Sequence, residues 1–382
     1  MAETIKQLVD GLAGRRDYFG DICDHLDAHL ARGDTAYLEE FALALHTRYG
    51  SGWVDAELHF LFNRIRWDVT TTPGRANVER ALSLGLGAWE RGGRPERVAA
   101  AVLAQYQPLA ALGPVFVADP GARRTRRVRE ELRACLVHEL VLRGAPVARL
   151  REAVAWAEAS PHWADHPLAW LPWTLAPFEG EPAVPKFFRG GMAGGVGYGL
   201  PEGEPLAGSG ASAAVPVEIG EDAPDLTAAV RRWARRHNGR IEAAVFLADA
   251  ELAPDALPGT LAELPLDCLD GLRMRPVVVP TAATEVWQRL FAAASVGGGH
   301  PNEFWHGAYG RLAAWRSMAA LAGADPDASP EEVIRRVEDC TWYGFRVSTD
   351  WWVEDFMDFG VLALGPGRRR LAVLAATDYN GG

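Results

Sequence analysis

Arg189-Gly-Gly-Met-Ala-Gly-Gly-Val-Gly-Tyr-Gly199 separates two halves of this chain that are patterned in different ways. It belongs to a Gly/Pro-rich stretch, residues 178–213, that suits neither a helix nor a long strand, because glycine loses the most backbone freedom when ordered. We read 1–177 as a helical domain, 178–213 as a linker or lid, and 214–382 as a mixed α/β domain. The fold class expected is α+β. A length of 382 residues exceeds one ordinary core and accords with two domains.

Upstream of the glycines, apolar residues recur at helical spacing with stop signals after them. Ile5, Leu8, Val9 and Leu12 share one face and precede Gly14. Phe19, Ile22, Leu26 and Leu30 repeat the pattern up to Gly33, and Asp34 then caps a helix carrying Leu38, Phe41 and Leu45. Further stripes pass through Leu58–Ile65, Val78–Trp89, Val98–Val102, Val128–Leu140 and Val147–Val154. This half is a bundle or a short α-solenoid. Downstream, Val215–Ile219, Ile241–Ala248, Arg275–Val279 and Trp342–Ser348 read as strands, and Phe359–Leu364 with Arg370–Thr377 as a hairpin around Gly365-Pro-Gly-Arg368. Helices pass through Leu226–Trp233, Val286–Leu290 and Trp305–Ala319. Ser329-Pro-Glu-Glu332 is a capping box with proline at the first helical position.

Composition narrows the function classes. The net charge of −11 is lopsided: −1 through Phe178 and −10 from Glu179 onward. An acidic domain repels a phosphate backbone, which disfavours nucleic acid. Met1–Asp10 carries charges where a secretion signal needs an unbroken apolar run, and no stretch reaches the ~18 apolar residues of a membrane helix. Cys23, Cys135, Cys268 and Cys340 form no Cys-x-x-Cys pair, so neither a disulfide framework nor a cysteine zinc site is expected. We expect a cytoplasmic protein with no membrane association and no cofactor.

Candidate sites are few. Glu303-Phe-Trp-His306 has the Glu-x-x-His spacing of carboxylate metal bundles, with His300 just upstream, so His300, Glu303 and His306 are the candidate ligand-binding residues. The identity of any metal ligand set is left open, as are catalytic residues. Asp21, His25 and His29 stand at i, i+4 and i+8 of one helix, a spacing that offers metal ligands or a solvated flank. His162 and His166 are flanked by Pro161 and Pro167, which argue against one continuous helix. Asp350, Glu354 and Asp358, beside Trp351 and Trp352, form a candidate protein contact. Two basic runs, Arg123–Arg129 and Arg231–Arg236, read as the wet sides of amphipathic helices. The glycines lack the spacing of a phosphate loop or dinucleotide fingerprint, and no Gly-x-Ser-x-Gly elbow exists.

His166-Pro-Leu-Ala-Trp-Leu-Pro172, Ala308-Tyr-Gly-Arg-Leu-Ala-Ala-Trp-Arg-Ser317 and Leu371-Ala-Val-Leu-Ala-Ala-Thr-Asp378 together resemble a family of actinobacterial proteins catalogued as a domain of unknown function. The resemblance implies a shared architecture over most of the chain and brings no catalytic residue with it. We favour a non-catalytic interaction or scaffold protein that binds a protein or a small ligand. The alternative is an enzyme whose site lies between the two halves near His300, Glu303 and His306; nucleic-acid binding through the arginine runs ranks last.

Overall fold

The structure is a computed structural model that describes residues 4–12, 19–50, 56–85, 95–117, 123–207, 216–220, 223–236, 239–297, 306–352 and 357–378. It divides into two compact units: Met1–Ala164 with Lys186–Met192, and Asp165–Pro185 with Ala193–Gly382. The stretch expected as a linker or lid is thus shared out to both units, and much of it is built into them. Phe178, Glu179, Phe187 and Tyr198 are all buried. Among the described residues, no helix is long and apolar enough to cross a membrane.

The first unit is helical: α1 (Ile5–Asp10), α2 (Gly20–Ala31), α3 (Thr35–Tyr49), α4 (Ala56–Thr71), α5 (Arg75–Ser83), α6 (Pro95–Tyr106), α7 (Gly113–Phe116), α8 (Arg123–Leu142), α9 (Arg151–Ala159) and α10 (Pro161–Ala164). The stripes read from the sequence are the buried ones: Val9, Ile22, Leu26, Leu38, Phe41, Leu45, Leu61 and Ile65 form one core. Local chemistry sets the ends. Asp34 accepts from Tyr37 N at 3.2 Å, and Gly50 closes α3 at φ +77°, a conformation that costs glycine nothing. α1 packs on α3, α4 on α6 and α6 on α8. α7 and α10 are single turns, too short to show a periodicity. A hairpin of β1 (Lys186–Phe188) and β2 (Gly191–Ala193) is tied down when Gln105 and Tyr106 of α6 both donate to Phe187 O at 2.8 Å.

The second unit holds an antiparallel sheet in the order β3-β4-β8-β7-β6-β5: β3 (Val217–Ile219), β4 (Arg240–Ala248), β5 (Val277–Thr281), β6 (Thr341–Arg346), β7 (Phe359–Leu364) and β8 (Arg370–Thr377). β8 is central, with Leu371–Thr377 buried throughout, and so reads as an unbroken apolar run rather than an alternating one. α11 (Arg231–Arg236) precedes β4, and α12 (Leu257–Ala262) helps cover one face of the sheet with Phe246, Val278, Phe345, Leu362 and Val373. α13 (Ala283–Ser295) and α14 (His306–Ala322) pack together and lie on the other face, followed by α15 (Pro330–Asp339). A Cβ on Gly310 of α14 would stand 2.7 Å from the Ser295 Cβ, so glycine is what lets α13 and α14 approach so closely. Ser329 Oγ accepts from Glu332 N at 3.3 Å, the cap its sequence announces.

A buried ion pair fastens the proline-rich segment 165–185 to these helices. Arg311 of α14 donates through Nε and Nη2 to the two carboxylate oxygens of Glu179, each at 2.7 Å, with both side chains fully buried. Its other donor positions reach Pro172 O and Thr174 O at 2.8 Å. Glu179 also accepts from Ala176 N at 2.8 Å, and Gln288 of α13 donates to Glu179 O and Glu181 O at 3.0 and 2.7 Å. Removing one partner of such a pair strands the other charge away from water. Arg311→Leu is therefore expected to lower the unfolding free energy by about 3–5 kcal/mol in urea titrations. Glu179→Leu combined with Arg311→Leu is expected to recover a large part of that loss, although two carbonyls stay unmatched.

Candidate ligand-binding cavity

β6 and β7 run side by side with Phe345 opposite Gly360 and Gly344 opposite Val361. Each glycine makes room on a different face. A Cβ on Gly360 would stand 2.6 Å from the Phe345 ring, and one on Gly344 would overlap the ring of Pro201. The chain at Leu200-Pro201 can therefore lie directly on the sheet. Tyr198, just before it, is held against Phe359 (ring centroids 5.5 Å apart, planes 21°) and edge-on to Trp233 (5.6 Å, 87°). This segment becomes the wall of a cavity of about 400 Å³ at the end of the sheet where β6 and β7 part. That is the size range of small-ligand pockets.

The charged side chains of the cavity arrive from three elements. Arg346 ends β6 and is paired in register with Val277 of β5. Arg275, two residues ahead of Val277, falls on the same face by the alternation of extended chain. Arg289 projects from α13 and lines the cavity together with Val286. Among the described lining residues, Asp358 is the acid, and its carboxylate accepts the Thr377 hydroxyl.

Arg289 carries the electrostatic interest. Its side chain is only 13% exposed, and its Nε is buried without a hydrogen-bond partner among the described residues. The nearest carboxylate, Glu285, is 3.8 Å away, half exposed, and already accepts the Thr281 hydroxyl at 2.6 Å. Burial lowers the pKa of the guanidinium from its ordinary value, with Glu285 opposing the shift. A cation so desolvated and so weakly matched gains from an anion placed beside it.

The other thiols and histidines take quieter positions. Burial raises the thiol pKa of Cys23, Cys135 and Cys268 and pushes Cys340 up to about 11, which leaves little thiolate for nucleophilic chemistry. Of the residues singled out from sequence, His300 and Glu303 lie outside the described residues. His306 is the first residue of α14, 2% exposed and at φ +58°, and the described cavity lining does not include it. His25, which is exposed, and His29, which is half-buried, both engage Tyr37. His25 Nε2 meets the Tyr37 hydroxyl at 2.9 Å, and His29 stacks on that ring while bonding Asp34 at 2.9 Å. His166 accepts from Leu168 N at 3.2 Å, capping a turn. Asp350 pairs with Arg273, Trp352 donates to Cys268 O at 3.0 Å, and Glu354 lies outside the described residues. In the basic runs, Arg231 pairs with Asp225 at 3.1 Å, while the side chains of 123–128, 235 and 236 lie outside the described set.

Sequence reasoning did not reach Arg275, Arg289 or Arg346. One signal was available: Arg346 is the one charge within Trp342–Ser348, the run read as a strand from sequence, and it falls at the exposed end of β6. A model of a family described as a family of unknown function, DUF6183, matches residues 20–380. No curated protein and no solved structure matches the chain.

Because its charge is buried and underpaired, Arg289 is not expected to hold the fold together. Arg289→Met, which keeps the length of the apolar stem, should leave the urea unfolding free energy unchanged or raise it by up to about 1 kcal/mol. A loss above about 2 kcal/mol would mark the guanidinium as a structural tie.

Proposed function

This chain belongs to the family of unknown function DUF6183, and we propose that its C-terminal unit is a binding module for a small organic anion held in the cavity against Arg289. The observation that carries this is the guanidinium itself: nearly buried, with an unmatched Nε, on the wall of a cavity of ligand size. The support for binding rather than catalysis is chemical. Guanidiniums hold their protons across the working pH range and act as fixed cations, and they make poor general acids or bases. The overall acidity of this half does not oppose the assignment, since a local field depends on the groups that line the cavity. Four free cysteines, three of them buried, fit a reducing, cytoplasmic setting.

Isothermal titration of the full chain tests the assignment with benzoate, benzenesulfonate and phenyl phosphate, and with benzyl alcohol as the uncharged match. At least one anion is expected to bind with 1:1 stoichiometry while benzyl alcohol does not. Arg289→Met should weaken that anion by about 10- to 100-fold, the worth of one charge-assisted hydrogen bond. Anion binding that is indifferent to Arg289→Met, or no anion binding at all, sinks the assignment.

A further inference from the structure

We infer that the first unit carries a second ligand site, a slot between α4 and the β1–β2 hairpin that takes an uncharged nucleobase. Ala56, Phe60, Asn63, Arg64 and Trp67 recur along one face of α4 and form one wall of a cavity of about 320 Å³. Phe188 and the turn Arg189-Gly190-Gly191 form another, and all of these residues belong to the first unit. Small-ligand pockets span roughly 300–1,000 Å³, so this one suits a compact ring system. The hairpin wall is fixed in place. Phe187 is buried in a cluster with Val98 and Val102, on which Trp67 packs, and its backbone bonds Gln105 and Tyr106 at 2.8 Å. Arg189 then donates to Asp68 of α4 at 2.5 Å.

Held at those two points, the hairpin leaves Phe188 49% exposed, and Phe60 across the cavity lining is 58% exposed. These are the exposed phenylalanines among the described residues, and both belong to this one cavity. Neither ring has a stacking partner among the described residues. Apolar side chains scattered singly over a surface need no explanation, but two open ring faces on two walls of one cavity suit a flat ligand. The polar lining says what kind of ring. Asn63 Oδ1 accepts from Arg66 at 3.2 Å, while its amide nitrogen has no partner among the described residues. That donor and the second lone pair of Oδ1 match the acceptor and donor on the edge of a base. Charge is not what the cavity asks for. Arg64 is answered by Asp27 at 2.5 Å and Asp68 at 3.8 Å, and Arg189 by Asp68. The described lining adds no carboxylate, and His59 is its other ionisable group.

The test is isothermal titration of the full chain with adenosine, uridine, adenosine monophosphate and N-acetyltryptophanamide. At least one nucleoside is expected to bind with 1:1 stoichiometry, about tenfold or more tightly than N-acetyltryptophanamide, which has a flat ring but no acceptor on its edge. Phe60→Ala and Phe188→Ala change exposed positions, and urea titration checks that each variant folds. Each should weaken the nucleoside by about tenfold, the worth of one stack between a base and an aromatic ring. Asn63→Asp keeps an acceptor for Arg66 and removes the donor, and should weaken the nucleoside by about three- to tenfold. Binding of N-acetyltryptophanamide as tight as that of the nucleosides makes the slot a seat for an aromatic side chain of a protein and overturns the base. Adenosine monophosphate bound more than about tenfold tighter than adenosine overturns the uncharged ligand. Nucleoside binding that ignores both phenylalanine variants, or no nucleoside binding at all, removes the site and leaves the anion cavity of the second unit to its own titration.

Discussion

A guanidinium and a carboxylate fully withdrawn from water, Arg311 and Glu179, govern how the C-terminal unit is assembled. The segment from Asp165 to Pro185 crosses this unit with short turns and several prolines, so its carbonyls have few partners within the segment itself. Placing such a backbone in an interior is costly unless donors come from elsewhere. Arg311 brings them in a planar fork, and Gln288 brings more from the neighbouring helix. Both depend on α13 and α14 lying close, which Gly310 against Ser295 allows. Trp315, one turn beyond Arg311, then seals the assembly by packing on Phe178 and Trp170. Desolvating two charges costs several kcal/mol, and the return is geometric: few other arrangements satisfy every donor and acceptor at once.

Arg289 is the counterpart on the same pair of helices. Arg311 is completely buried and completely matched, whereas Arg289 is largely buried and held only by Glu285, at 3.8 Å from its carboxylate and 3.5 Å from its carbonyl, with Nε unmatched among the described residues. The contrast separates an arginine that builds the fold from the one that we propose meets a ligand. Two cations of one chemical type, on neighbouring helices, differ in this way through their neighbours alone.

Much of the architecture was legible because burial leaves periodic traces. β7 and β8 were bounded correctly from sequence, since chain buried on both faces reads as a plain apolar run. β5 was placed two residues early, at Arg275, because Pro276 and Pro280 blur its ends and the ladder to Trp342 is set by the partner strand. The glycine-rich stretch suggested a loose tether, yet Glu179 and Tyr198 within it are anchors whose partners lie more than a hundred residues away in one case and across the sheet in the other. The cavity was harder still. In a chain with 37 arginines, three that converge through strand register and a helix crossing leave no spacing to detect. His306, chosen for a motif, turned out to open α14 from a buried position.

The place of β8 in the sheet has a consequence for synthesis. Its hydrogen-bonding neighbours are β7, just before it, and β4, whose Arg240 pairs with Thr377. Until residue 377 has left the ribosome, β4 and β7 have no strand between them, and each presents an open edge. Helices of the first unit close by contacts nearer in sequence and can settle while translation continues. The sheet instead waits for its middle strand, and during that interval its apolar edges are the part of this chain most in need of chaperone cover.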